Sequence, residues 1–255
     1  MLSDEELLRY SRQIMLPGWD IAAQEKLKAS KALVIGLGGL GCPVALYLAA
    51  AGVGELHLAD FDTVDATNLQ RQVLHYTADV GQAKVASAAA KLRALNPLIS
   101  VHELPQLLDA GSLRELVAQA DVVLDCTDNF ATRDAVNAAC VAAGTPLVSG
   151  AAIGMSGQLA VFDLRQQDSP CYRCLYPDID EAALGCAESG VLATIVGVVG
   201  TLQAHEALKL LAGSGQTLAG RLWLWDGETM DMRTLRLKKD AACAVCKGRY
   251  VRSGE

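Results

Sequence analysis

Residues 31–36 form a short apolar run that feeds directly into Gly36-Leu37-Gly38-Gly39-Leu40-Gly41, and residues 43–51 then read as an Ala/Leu-rich helix. Strand, glycine-rich turn and helix in that order place bare backbone and a helix N-terminus where they can approach phosphate. Gly36, Gly38 and Gly41 match the G-x-G-x-x-G spacing. Asp60 closes the next expected strand about 20 residues further on, where a carboxylate can accept from ribose hydroxyls. The plainer alternative is a structural turn that only packs tightly.

Around this unit the pattern alternates. Further strands are expected at 55–60, 99–103, 122–125 and 146–149, and helices at 82–95, 107–120 and 131–143. Strands alternating with helices of this length imply a Rossmann-like α/β fold, mainly parallel, with helices on both faces. After residue 150 the pattern changes: 158–162 alternates like an exposed strand, 169–189 has no clear period, and a long helix runs to about residue 212. Residues 222–224 and 232–237 read as a hairpin-like antiparallel extension. Ser3 and Glu6 have capping-box spacing, which starts a helix over 4–10. We read 1–255 as one domain, with an N-terminal helical segment (1–30), a nucleotide-binding core (31–150) and a C-terminal extension (151–255). With 255 residues, 51% of them hydrophobic and 20% charged, the chain can bury a full core.

Charge narrows the partners. The net charge of −7 argues against nucleic acid and anionic membranes. The start, Met1-Leu2-Ser3-Asp4-Glu5-Glu6, is acidic where a secretory signal is basic, and the longest uncharged apolar stretch, 191–202, is well short of the roughly 20 residues that span a bilayer. A cytoplasmic protein is expected. Eight cysteines in a reducing compartment do not suggest a disulfide framework. Cys171 and Cys174 pair with Cys243 and Cys246 as two Cys-x-x-Cys motifs, the four thiolates a closed tetrahedral zinc site needs. Cys42, Cys126 and Cys140 read as small buried hydrophobes. His57, His75, His102 and His205 have no metal or triad spacing and read as structural.

Asp62, Asn68, Arg71 and Lys84 lie beyond Asp60. One pyrophosphate cradle does not need two extra cations, whereas Arg71 and Lys84 suit a triphosphate by balancing β- and γ-phosphate charge. A solvated loop and helix face is the alternative. Asp128 follows the fourth strand, where it could hold magnesium against phosphate oxygens. It could instead cap the next helix, a role Asn129 fills as well. Arg233, Arg236, Lys238 and Lys239 form a small basic stretch, read as a solvated face.

As an ordered set, these segments resemble the MoeB/ThiF adenylyltransferases, bacterial relatives of ubiquitin-activating enzymes. The resemblance covers nearly the whole chain. It rests on Arg9-Tyr10-Ser11-Arg12-Gln13-Ile14, the glycine turn, Asp60-Phe61-Asp62, Asn68-Leu69-Gln70-Arg71-Gln72, Gly81-Gln82-Ala83-Lys84, Asp125-Cys126-Thr127-Asp128-Asn129 and the two cysteine pairs.

The resemblance implies that ATP and magnesium activate the C-terminal glycine carboxylate of a ubiquitin-like sulfur carrier ending in Gly-Gly, releasing pyrophosphate. It implies that Asp60 binds ribose, Gly39 lines the nucleotide, Asn68, Arg71 and Lys84 hold phosphates, and Asp128 is the magnesium-linked acid. Arg12 would enter a partner subunit's site in a homodimer, and the apolar helix of 191–211 could pack at a two-fold or in the core of its own chain. Cys186 would carry thiol chemistry, against an alternative as an exposed spectator. The chain ends soon after Cys246, so the sulfur donor is expected to be a separate protein. Gly154 stands where the molybdopterin branch usually has Arg, and Tyr176-Pro177-Asp178 looks more like the thiamine branch, so both pathways stay open. The competing classes are an NAD(P)-dependent oxidoreductase and a zinc-stabilised scaffold that binds a carrier without activating it.

Overall fold

The computed structural model describes residues 1–177 and 190–248. Its centre is one eight-stranded sheet in the order β3-β2-β1-β4-β5-β6-β7-β8. Strands β1 (Lys31–Ile35), β2 (Glu55–Ala59), β3 (Ser100–Leu104), β4 (Val122–Asp125) and β5 (Leu147–Ile153) pair in parallel. β6 (Ser156–Phe162), β7 (Arg221–Asp226) and β8 (Met232–Arg236) continue the sheet antiparallel. The expected mainly parallel sheet with an antiparallel extension is therefore present.

Helices cover both faces. On one, α4 (Gly41–Ala51), α5 (Lys84–Leu95) and α9 (Ala193–Ala212) pack over Val34, Leu56, Leu124 and Val148. On the other, α6 (Ala110–Gln119) and α7 (Phe130–Ala143) cover Leu33, Ile35 and Val123. Four of the five β1 residues are buried, as expected for a central strand sandwiched on both sides.

Strand β6 differs from expectation. It is an interior strand, with Leu159 to Phe162 all buried. Leu159 and Val161 face α9, while Ala160 and Phe162 face the cysteine-bearing segments. An alternation that suggested solvent on one side is covered by distant chain on both. Helix α6 starts three residues later than expected because Asp109 Oδ1 accepts from the backbone N–H groups of Gly111 (2.9 Å) and Ser112 (2.8 Å) and sets the cap there.

The N-terminal helices α1 (Asp4–Arg9), α2 (Ser11–Ile14) and α3 (Ile21–Ala29) precede the sheet. The Ser3/Glu6 capping box forms as expected, and Asn96 Nδ2 donates to the Tyr10 hydroxyl at 2.8 Å, tying this segment to the end of α5. Among the described residues, α9 alone is long and apolar enough to cross a membrane, yet over half of its most apolar window is buried inside the protein. Gln203 on that helix donates to the Asp125 carbonyl at 2.9 Å, which marks α9 as a core helix packed on the sheet.

Candidate active site and metal centre

The carboxyl ends of β1, β2 and β4 are in register: Ile35 lies beside Ala59 on one side and Asp125 on the other. The loops leaving these three strands therefore meet at one edge of the sheet, where open parallel sheets bind ligands. There they border a cleft of about 1390 Å³.

The turn after β1 needs its glycines. Gly36 has φ +90°, and a Cβ there would sit 2.9 Å from the Cys126 carbonyl oxygen. A Cβ on Gly41 would meet the Gly36 carbonyl oxygen at 1.8 Å. Only bare backbone lets the loop fold back on itself and on the β4 exit. Asp60 holds this turn: its Oδ2 accepts from Leu37 N–H at 2.7 Å, and its Oδ1 accepts from Asp62 N–H at 2.9 Å. Each oxygen keeps a further lone pair for a ligand.

Lys84 is only 5% exposed, which excludes a solvated helix face. Its Nζ lies 2.8 Å from Asp62 Oδ2 and 4.0 Å from Asp60 Oδ2. Arg71 donates to Asn68 Oδ1 at 2.6 Å. Both cations border the cleft while Asn68 stands behind Arg71. Asn129 caps α7 by accepting from Thr132 N–H at 2.9 Å, so the cap is filled and Asp128 is left exposed at the cleft with its carboxylate uncommitted to that role.

Gly36, Gly38, Gly39, Asp60, Asp62, Arg71, Lys84, Asp128 and Asn129 thus come together. Gly41 and Asn68 support them without lining the cleft. Arg12 does not reach it: the side chain is exposed on α2. Cys186 lies outside the described residues. Arg233, read as part of a solvated face, borders the cleft as well, on β8 beside Leu224 and in line with Gln158.

Two residues that sequence reasoning passed over belong here. Gln72 is 4% exposed, lines the cleft beside Gly38, and has no hydrogen-bond partner for its Oε1 among the described residues. Its position next to Arg71 was the available signal. Arg133 is buried on α7, where it donates to the Gly150 carbonyl at 2.9 Å and to the Thr127 carbonyl. Burial, the largest single influence, opposes its charge, but Asp125, 3.8 Å away and 1% exposed, together with Tyr172 and Tyr176 outweighs it and raises the guanidinium pKa. Asp125 in turn accepts from Thr127 Oγ at 2.7 Å and Ser149 Oγ at 3.1 Å. This buried network fixes the backbone leading to Asp128. Nothing in the spacing distinguishes Arg133 from an exposed helix arginine.

The four paired cysteines converge. Cys171 and Cys174 flank the start of α8 (Tyr172–Leu175), and the tail after β8 brings Cys243 and Cys246 against them. Sγ–Sγ separations are 3.7 Å for Cys171–Cys243, 3.4 Å for Cys174–Cys246 and 4.0 Å for Cys171–Cys174. Four thiolates about 2.3 Å from a tetrahedral zinc ion lie roughly 3.8 Å apart, so the donor set and its spacing fit zinc. The hydrogen bond with Cys171 and the Asp240 N–H hold the Cys174 thiol below its usual range despite burial, and the same contact with Cys171 pushes the Cys171 thiol up. Cys42, Cys126 and Cys140 are buried as expected, and burial pushes the Cys42 thiol up to about 12.

The four histidines have no metal spacing along the chain, but two of them meet in space. His57 and His102 come together with Glu55, because β2 and β3 pair in register and sequence spacing does not record which strands become neighbours.

Comparison with known proteins decides the family. The ThiF family model matches residues 10–245. The chain belongs to the ThiF family. It is 53% identical over 245 residues to the molybdopterin-synthase adenylyltransferase of Escherichia coli K12, covering 96% of this chain and 98% of that protein. It is 50% identical over 247 residues to the sulfur carrier protein ThiS adenylyltransferase of the same organism, covering 97% and 98%. A crystal structure of Escherichia coli MccB with ATP superposes with a TM-score of 0.78 at 26% identity, covering 89% of this chain and 69% of that one. The resemblance to MoeB/ThiF adenylyltransferases read from the motifs is borne out.

Proposed function

We propose that this protein uses ATP to adenylate the C-terminal glycine carboxylate of a ubiquitin-like sulfur carrier, releasing pyrophosphate, for molybdopterin or thiamine-type cofactor synthesis. The observation that carries this reading is the single cleft that gathers the glycine turn, Asp60, Arg71, Lys84 and Asp128 at one end and runs on to Gln158, Trp225 and Arg233. At about 1390 Å³ it exceeds the roughly 300–1,000 Å³ of a one-ligand pocket and leaves room for an extended peptide tail beside a nucleotide. The family relatives named above are adenylyltransferases, not oxidoreductases.

In this reading Asp60 accepts from the ribose hydroxyls, Gly36, Gly38 and Gly39 let the phosphates approach backbone, and Arg71 and Lys84 exchange Asn68 and Asp62 for phosphate oxygens. Gln72 contributes its orphaned oxygen to the ligand. A carrier carboxylate oxygen attacks the α-phosphorus while the bond to the β-phosphate oxygen breaks and pyrophosphate leaves. The nucleophile arrives deprotonated, so no general base is needed, and the protein contributes orientation and charge neutralisation. Asp128 would hold magnesium, which when bound supplies further neutralisation of phosphate charge. Cys171, Cys174, Cys243 and Cys246 would hold a structural zinc that clasps the C-terminal tail to the sheet.

We further place Arg12 in the partner subunit's cleft of a homodimer, in keeping with its exposure away from its own. Cys186 is proposed to act after adenylation, when sulfur from a separate donor protein reaches the carrier; Cys186→Ala should then adenylate normally and transfer sulfur slowly. A cytoplasmic setting fits the described cysteines, all free thiols.

The test is ATP–pyrophosphate exchange. It should require a carrier with a free C-terminal glycine carboxylate and fail with the same carrier amidated. Absence of exchange with both molybdopterin-type and thiamine-type carriers would overturn the reading, and preference for one assigns the pathway.

A further inference from the structure

Strands β2 and β3 run parallel with His57 directly opposite His102. Glu55 precedes His57 by two residues, and residues i and i+2 of a strand share a face, so all three side chains rise from the same side of the sheet. They converge. Nε2 of His57 lies 2.7 Å from Glu55 Oε1, and Nε2 of His102 lies 3.3 Å from the same oxygen. The imidazoles stack with centroids 4.6 Å apart and planes 24° from parallel, and the three donor atoms lie within 4.8 Å of one another. β3 is the edge of the sheet, and the site is half open, with His102 48% exposed.

We propose that Glu55, His57 and His102 form a second metal site, separate from the four cysteines, that takes a first-row divalent transition cation and ties β3 to β2. Two imidazole nitrogens and one carboxylate are a borderline donor set that suits zinc or nickel, whereas magnesium and calcium select oxygen. Glu55 Oε1 faces both imidazoles, so its carboxylate completes the donor set. A metal at Nε2 would take the place of the hydrogen bond between His57 and Glu55. Lys31 stands opposite Glu55 on β1 with its Nζ 3.4 Å from Oε1, and it must yield that oxygen or share the carboxylate. The open side leaves the remaining coordination positions to water. A bound ion would cross-link an edge strand that ordinary ladder hydrogen bonds hold on one side only.

Nickel is the probe. Protein purified without chelator, its cysteine cluster intact, is titrated with Ni²⁺ by calorimetry, and its reactive thiols are counted before and after to exclude cysteine binding. One equivalent should bind with no change in thiol count, and the ion should raise the melting temperature. His102→Ala, His57→Ala and Glu55→Gln should each weaken binding at least about tenfold, since losing a ligand costs no less than losing its supporting contacts. His205→Ala should bind as the parent does, and excess Mg²⁺ should not compete. Circular dichroism confirms that each variant is folded. No saturable Ni²⁺ binding, or the same affinity in His57→Ala and His102→Ala, would overturn the proposal.

Discussion

His75 Nε2 lies 3.0 Å from the carbonyl oxygen of Leu37, inside the glycine-rich turn. The N–H of the same residue donates to Asp60, so Leu37 is gripped on both sides. Behind His75, Nδ1 lies 2.9 Å from Ser87 Oγ, which is 3.0 Å from Lys91 Nζ. One arrangement satisfies every group: Lys91 donates to Ser87, Ser87 to Nδ1, and Nε2–H to Leu37. Burial lowers the His75 pKa, which favours this neutral form. His75→Ala should cost about 1–3 kcal/mol in denaturant unfolding, the usual penalty for orphaning buried partners. It should also raise the KM for ATP more than it lowers kcat. His75→Gln, which can still donate to Leu37, should recover much of the KM.

Asp79 anchors the outer end of that chain. The hydrogen bond from Lys91 holds its carboxyl below the usual range, against a smaller opposing effect of burial. A depressed carboxylate contributes stability that is fully present above its unfolded pKa, near 4, and is lost as pH falls through its lower folded value. The stability gap between the parent and Asp79→Asn should therefore be constant from pH 5 to 7, by urea unfolding, to within about 0.5 kcal/mol, and narrow below pH ~4.

Asp128→Ala should reduce ATP–pyrophosphate exchange on the order of 10²–10³-fold, the scale of losing one electrostatic group at a reacting phosphate. Its side chain is exposed, so the melting temperature should not move. Full exchange in this variant would remove Asp128 from the reaction.

Metal analysis should find about one zinc per chain held by Cys171, Cys174, Cys243 and Cys246. Chelation should lower the melting temperature, because the ion joins two segments with 68 residues of chain between them. Cys243→Ser should lose the zinc.

Heterodimers of Arg12→Ala and Asp128→Ala subunits should regain part of the exchange activity that each variant lacks alone. One of the two clefts then combines an intact Arg12 with an intact Asp128. No recovery in verified heterodimers would confine Arg12 to its own chain.

The turn at Gly36–Gly41, the carboxylate at Asp60, the alternation of strand and helix, and the two Cys-x-x-Cys pairs were legible because each depends on neighbours along the chain. Steric demands and metal-ligand spacing act over a few residues, and these leave periodic or fixed-offset marks. Tertiary structure decided the rest. It buried β6 on both faces, placed Arg133 under the Asp128 loop, left Gln72 Oε1 beside Gly38 without a partner among the described residues, and set His57 against His102. Those outcomes depend on which strands pair and which helix crosses over them, and the energies that settle this, burial and desolvation, are properties of assembled surfaces. Residues 45 apart, as His57 and His102 are, carry no trace in their spacing of the register that brings their rings into contact.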